Sequence, residues 1–126
     1  MNLKQYAHFL CPLDEKVLVL LLDKHKDTFE LPKDSKWHFE MSMFETSHAF
    51  AVWEDVPQPL ILIDKEIFES EWFTADHLFV ILAHEMAHIR LRSLDESHCD
   101  QMALSILKEN DLMDAYELLK SILDRH

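Results

Sequence analysis

Glycine is missing from all 126 residues of this chain. The omission excludes Gly-rich phosphate loops and the dinucleotide fingerprint, whose backbones need a residue without Cβ. Every turn must then be built from Pro, Asn, Asp or Ser. Cysteine is scarce: Cys11 and Cys99 stand alone and far apart. That is no disulfide framework, and it fits buried thiols in a reducing cytoplasm. Positive charge is also short, with 12 Lys and Arg against 24 Asp and Glu for a net charge of −12. Nucleic acid and anionic membrane surfaces would meet a repulsive field, so partners should be neutral or basic. Apolar runs such as Val17 to Leu22 fall far below the roughly 20 residues that cross a bilayer. The amino-terminal stretch lacks the basic region, apolar region and cleavage site of a secretory signal. These absences lead us to expect a soluble, cytoplasmic protein that binds neither membrane nor nucleic acid.

What is present suits a folded domain. Hydrophobic residues make up 48% and charged residues 29%, an ordinary globular balance, and the length accommodates one core, so residues 1–126 read as a single domain. Pro12, Asp14 and Glu15 suggest a helix start, and Val17, Leu18, Leu20, Leu21 and Leu22 suit a helix to about Lys26. Trp37, Phe39, Met41 and Met43 alternate with polar residues as in a half-buried strand, and "HAFAVWE" reads as its hairpin partner through "ETS". "LILID", bounded by Pro57 and Pro59, predicts a third strand, and "DKEIFESEW" a helical turn or two. Thr74 is a good N-cap for the most apolar helix, with Asp76 in its first turn. "ESHCDQMALSILKEN" is a further helix, and Asn110 or Asp111 is expected to cap a last one bearing Leu112, Tyr116, Leu119 and Leu123 on one face. The fold class is α+β, a small mixed sheet packed on one central helix with further helices after it.

Chemistry concentrates in "HEMAHIRLRSLDESHCDQMA". Positions i and i+4 of a helix share a face, so His84 and His88 can direct two imidazoles at one metal ion. Glu85 lies one step round, where a carboxylate can reach a water instead of the ion, as a general base must. A shuffled chain of this composition would contain H-E-x-x-H roughly one time in twenty. Here the motif lies within an apolar helix, where buried polar groups need partners. Two histidines hold zinc poorly without a third ligand, and an arrangement with a third histidine six residues after His88 and a glycine turn between is ruled out, since Leu94 stands in the histidine place and Leu91 in the glycine place. Asp95, Glu96, His98 and Asp100 remain. On an unbroken helix Glu96 would lie about 12 Å along the axis from His88, so a turn near "RSLD" is required. Ser93-Leu94-Asp95-Glu96 also reads as a capping box, in which Glu96 merely satisfies the next helix start. Either way a new helix carries Glu96 and Asp100 on one face, one able to bind metal and the other to hold a ligand histidine.

"VILAHEMAH" followed by "ESHCDQMA" resembles the H-E-x-x-H plus E-x-x-x-D-x-x-A pattern of gluzincin metallopeptidases, in particular the HtpX-like and prenyl-protease branch and the small minigluzincins. "SHAFAVW" and "LILIDKEIFE" extend the resemblance upstream, over residues 47–103. It implies a zincin-like fold, Zn2+ held by His84, His88 and Glu96, Glu85 as general base and acid, and Asp100 as partner of a ligand histidine. It also implies a peptide or protein substrate lying extended along a strand that contains Ala49, Phe50, Ala51 and Val52. The chain departs from the family pattern at His48, where Asn is usual, and at Ala87, where Gly is usual. The residue that would help stabilise the oxyanion is left open among Tyr116, His98, His48 and Arg125. The expected function is a soluble zinc endopeptidase. The alternatives are a catalytically silent, protease-like metal-binding module for regulation or interaction, and a hydrolase resembling peptide deformylase with Cys99 as third ligand.

Overall fold

A computed structural model describes residues 3–22, 49–54 and 56–124. Helix α1 spans Leu3–Leu10. Leu3, Tyr6, Ala7, Leu10 and Cys11 recur at i, i+3, i+4, i+7 and i+8, the spacing of one buried helical stripe, and Ala7, Leu10 and Cys11 are buried. The stretch expected to be a helix from Pro12 onward is instead strand β1, Leu18–Leu22. A short continuous apolar run fits a buried strand as well as a helix; a partner strand decides. That partner is β3, Leu60–Asp64, which pairs in parallel with β1 from Leu18↔Leu60 to Leu22↔Asp64. Strand β2, Ala49–Val52, runs antiparallel along the other side of β3, from Ala49↔Ile63 to Val52↔Leu60. The sheet order is therefore β1-β3-β2. The strand expected over Trp37 to Met43 and its hairpin turn lie outside the described residues.

All of β3 is buried, which explains why "LILID" is apolar without alternation. Ile61 and Ile63 join Ala51 in the core shared with the helices, while Leu60 and Leu62 join Val52 on the opposite face. Asp64 ends the strand and caps the following 3-10 helix, Lys65–Glu69, by accepting the Glu66 backbone N–H at 3.1 Å. Helix α2, Ala75–Leu91, starts as expected at Thr74, whose side chain accepts the His77 N–H. It is the centre of the packing and touches α1, β2, helix α3 (Glu96–Glu109) and helix α4 (Met113–Asp124). Leu82, Ala83, Met86, Ala87 and Ile89 are wholly enclosed. The architecture is a small mixed α+β fold with a three-stranded sheet and four α-helices among the described residues. No helix of these residues is long and apolar enough to cross a membrane.

Asn110 and Asp111 do not start the last helix. Asn110 closes α3, donating its side-chain amide to the carbonyls of Ile106 at 2.8 Å and Leu10 at 2.9 Å. Asp111 follows with φ 57°, and the Leu112 carbonyl accepts the first bond of α4 from Tyr116 N–H at 2.9 Å. A short polar side chain serves either helix end; the C-terminal bonds won because Asn110 also ties α3 to α1.

Candidate metal centre

The site is made by the way α2 ends. Arg92 takes the left-handed conformation, φ 50° and ψ 43°, a place glycine usually fills at a helix C-terminus. Ser93 N–H reaches back to the His88 carbonyl and Arg92 N–H to the Ile89 carbonyl, each at 3.3 Å. These two bonds are the Schellman pattern, and they reverse the chain. The Arg92 side chain is tied to Glu15 by an ion pair. Asp95 then opens α3, its carboxylate accepting the His98 N–H at 3.0 Å, while Ser93 Oγ accepts the Asp95 N–H at 3.0 Å. The expected Ser93–Glu96 capping box is therefore replaced: Asp95 is the cap, its carboxylate meeting the third amide of the helix, while the Ser93 hydroxyl is taken by the Asp95 N–H. Glu96 becomes the first helical residue, free of capping duty.

With the chain reversed, the carboxylate of Glu96 meets both histidines. His84 Nε2 lies 3.0 Å from Glu96 Oε2, His88 Nε2 lies 3.2 Å from Glu96 Oε1, and the two Nε2 atoms are 3.1 Å apart. His84, His88 and Glu96 form a group that could hold a metal ion. Three ligands at about 2.0–2.1 Å from a tetrahedral centre stand roughly 3.3 Å from one another, so the spacing is nearly that of a filled site.

The donor chemistry makes the same point. His88 Nδ1 lies 2.7 Å from the Ser93 carbonyl, which can only accept, so Nδ1 carries a proton and, in the neutral ring, Nε2 is the nitrogen that offers a lone pair. His84 Nδ1 lies 2.9 Å from Asp100 Oδ1, and donation to that carboxylate again leaves Nε2 bare. Two imidazole lone pairs and a carboxylate thus converge on one point, an arrangement that a cation stabilises and its absence makes repulsive. The residues fit a divalent metal.

Burial grades across the group. His88 keeps 5% exposure and Glu85 6%, whereas the Glu96 side chain keeps 69%. The group is walled by the core on the α2 side and open to solvent on the α3 side. Trp53, just beyond β2, stacks on the His88 ring at 6.3 Å between centroids and 13° between planes. This contact brings the end of the Ala49–Val52 strand against the histidine pair.

Cys99 is not a third ligand. Its Sγ touches His88 Nδ1 at 3.3 Å, behind the ring and away from Nε2. Burial first, and then the carboxylates of Glu96, Asp100, Asp95 and Glu85, push the Cys99 thiol up to about 11. It stays a neutral thiol beside the His88 ring. Burial likewise raises Cys11, while Arg90 lowers it and Glu109 raises it. His98 is exposed one turn into α3 and is outside the three-residue group. Tyr116 packs against the common core; His48 and Arg125 lie outside the described residues.

Sequence reasoning found the residues of the group but missed the Ser93 carbonyl, the Cys99 contact and the Trp53 stack. No pattern of residue types encodes a backbone carbonyl, so only the first of these had no signal at all. No family model, no curated protein and no solved structure matches the chain.

Proposed function

We propose that this chain is a zinc-dependent metallopeptidase of the gluzincin type, with a zincin-like fold and a reducing, cytoplasmic setting that keeps Cys11 and Cys99 as thiols. The observation that carries the reading is the convergence of two bare Nε2 atoms and the Glu96 carboxylate within 3.2 Å, each imidazole held by its own acceptor. His84, His88 and Glu96 hold the ion. Three protein ligands of two imidazoles and one carboxylate, with a solvent-facing side, are the donor set of a catalytic zinc site. A zinc ion held by these three residues would supply Lewis acidity toward a substrate carbonyl and toward water near neutral pH.

The remaining work belongs to the chain. Glu85 takes the proton of the attacking water and passes it to the leaving amine, its carboxylate sheltered from bulk water by burial. Asp100 and the Ser93 carbonyl hold the two rings in the tautomer that presents Nε2. Strand β2 is a terminal strand of the sheet among the described residues, and the backbone of Phe50, Ala51 and Val52 pairs with an extended peptide, which costs the substrate few side-chain requirements. Trp53 then directs that peptide toward His88.

The test is Glu85→Gln. Hydrolysis of a mixed peptide library should fall by at least about 100-fold, the lower range of a general-base contribution, while metal analysis still finds one zinc per chain. Unchanged hydrolysis removes Glu85 from the mechanism. A wild-type chain that binds zinc and cleaves no peptide would make the site one of a silent regulatory module.

A further inference from the structure

A second surface lies at the other end of α2. The 3-10 helix turns Ile67 into the core at 1% exposure and leaves the adjacent Phe68 at 37%. Phe68 meets Phe73 edge-on at 4.9 Å, Phe73 meets Trp72 at 6.1 Å, and Trp72 meets His77 at 5.2 Å. Trp72 keeps 47% of its surface exposed. Three contacts link the four rings in a chain, with Phe68 and Trp72 exposed, and make a continuous aromatic step rather than scattered apolar residues.

Its charged neighbours along the chain are mostly acidic. Glu69 and Glu71 are exposed on either side of Ser70, Glu66 precedes them, and Asp76 follows in the first turn of α2. Lys65, three residues before Phe68 on the same 3-10 helix, is the one Lys or Arg between Asp64 and Asp76, against the four carboxylates. An aromatic step ringed by carboxylates is complementary to a bulky apolar side chain flanked by Lys or Arg, because the apolar group covers the rings while the cations meet the carboxylates and the indole face. The same charges repel anionic lipid. His77 and His84 share one stripe of α2, about 10 Å apart along the axis, so the step lies beside the metal group and is separate from it.

We propose that Phe68, Trp72, Phe73 and His77 form a docking surface for a basic protein segment that carries a bulky apolar anchor. The surface goes beyond the peptidase reading and stands without it, since binding here needs neither the metal nor Glu85. The experiment uses the full zinc-loaded chain carrying Glu85→Gln and three fluorescein-labelled amphipathic peptides of one pattern, built from Lys and Leu, Glu and Leu, or Lys and Ser. Anisotropy should show the Lys/Leu peptide binding at least about tenfold more tightly than either other peptide. Trp72→Ala and Phe68→Ala should each weaken it by about tenfold with metal content unchanged, whereas Phe9→Ala, at an exposed ring elsewhere, should leave it alone. Glu69→Lys with Glu71→Lys, both on the surface, should reverse the preference toward the Glu/Leu peptide. Equal binding of all three peptides, loss on Phe9→Ala equal to that on Trp72→Ala, or capture by anionic phosphatidylserine vesicles would each overturn the proposal. Failure of these outcomes leaves zinc binding and hydrolysis untouched, so the two readings fall separately.

Discussion

Helices α2 and α3 end in the same way and to different effect. Arg92 and Asp111 are the two positive-φ residues among those described, and each sits where a Schellman turn needs a left-handed residue. After α2 the back-bonded residue is His88 and the residue past the turn is Ser93; after α3 they are Leu107 and Leu112, with Leu112 N–H to the Leu107 carbonyl at 3.0 Å. At the second turn two leucines accompany the backbone bond, and the outcome is packing of α4 on the core. At the first, His88 gives its carbonyl to Ser93 N–H and its ring proton to the Ser93 carbonyl. One backbone device therefore makes either a core contact or an oriented metal ligand. The side chain one turn before the reversal decides which.

The sharpest break in this comparison is to truncate that side chain at each turn. His88→Ala should abolish stoichiometric zinc binding and with it the stabilisation by metal, about 4 kcal/mol when free zinc is 1,000 times Kd. Leu107→Ala should cost about 2–5 kcal/mol of stability with one zinc per chain retained. Chelator competition and thermal unfolding measured on both variants check this, and zinc loss from Leu107→Ala would mean the turns are not separable.

Asp100→Asn comes next. It keeps the size of the group but weakens the acceptor that holds His84, so zinc affinity should drop about 10- to 100-fold with little change in the unfolding of metal-free protein. An unchanged affinity would make Asp100 a surface carboxylate that happens to lie near the ring.

The two thiols sharpen the comparison through pH. Both have folded pKa values raised above 9.0, Cys99 to about 11. Above pH 9 the unfolded chain loses protons that the native chain keeps, so stability falls as pH rises toward 11, by at most about 1.4 kcal/mol per pH unit for each thiol. Cys99→Ala should flatten its share of that slope in denaturant titrations at pH 8 to 11 (a range of roughly three units). A slope that survives the loss of both cysteines would have another origin.

The smallest effects belong to the left-handed residues themselves. Asp111→Gly should stabilise by about 0.5 kcal/mol, since a Cβ in this region is costly. Arg92→Gly should change stability by less, because the same backbone gain is offset by losing the surface pair with Glu15, worth roughly 0–1 kcal/mol. In a Glu15→Gln background the gain at position 92 should emerge in full, and urea unfolding of the four chains reads it.

Legibility followed the reach of each signal. Thr74, the apolar helix after it and the "LILID" strand were legible because caps and periodicity act over one or two turns. Helix α1 is equally legible in the spacing of Leu3, Tyr6, Ala7 and Leu10. Residues Val17 to Leu22 were not decidable, since their partner in β3 lies some forty residues away (40 or so, far outside any local window). The exchange of caps at Ser93, Asp95 and Asn110 was also out of reach, because polar side chains of similar length compete for the same amides and packing settles the contest.

The pair His84 and His88, the carboxylate between them and the need for a break before Glu96 follow from the helical repeat, which every residue obeys regardless of its surroundings. The convergence of Glu96 on both rings, the choice of proton-bearing nitrogen through Ser93 and Asp100, and the wall formed by Trp53 arise only after α2, α3 and β2 have packed. Distances of 2.7 to 3.2 Å between atoms on separate elements depend on how those elements are seated, and that is a property of the shared core.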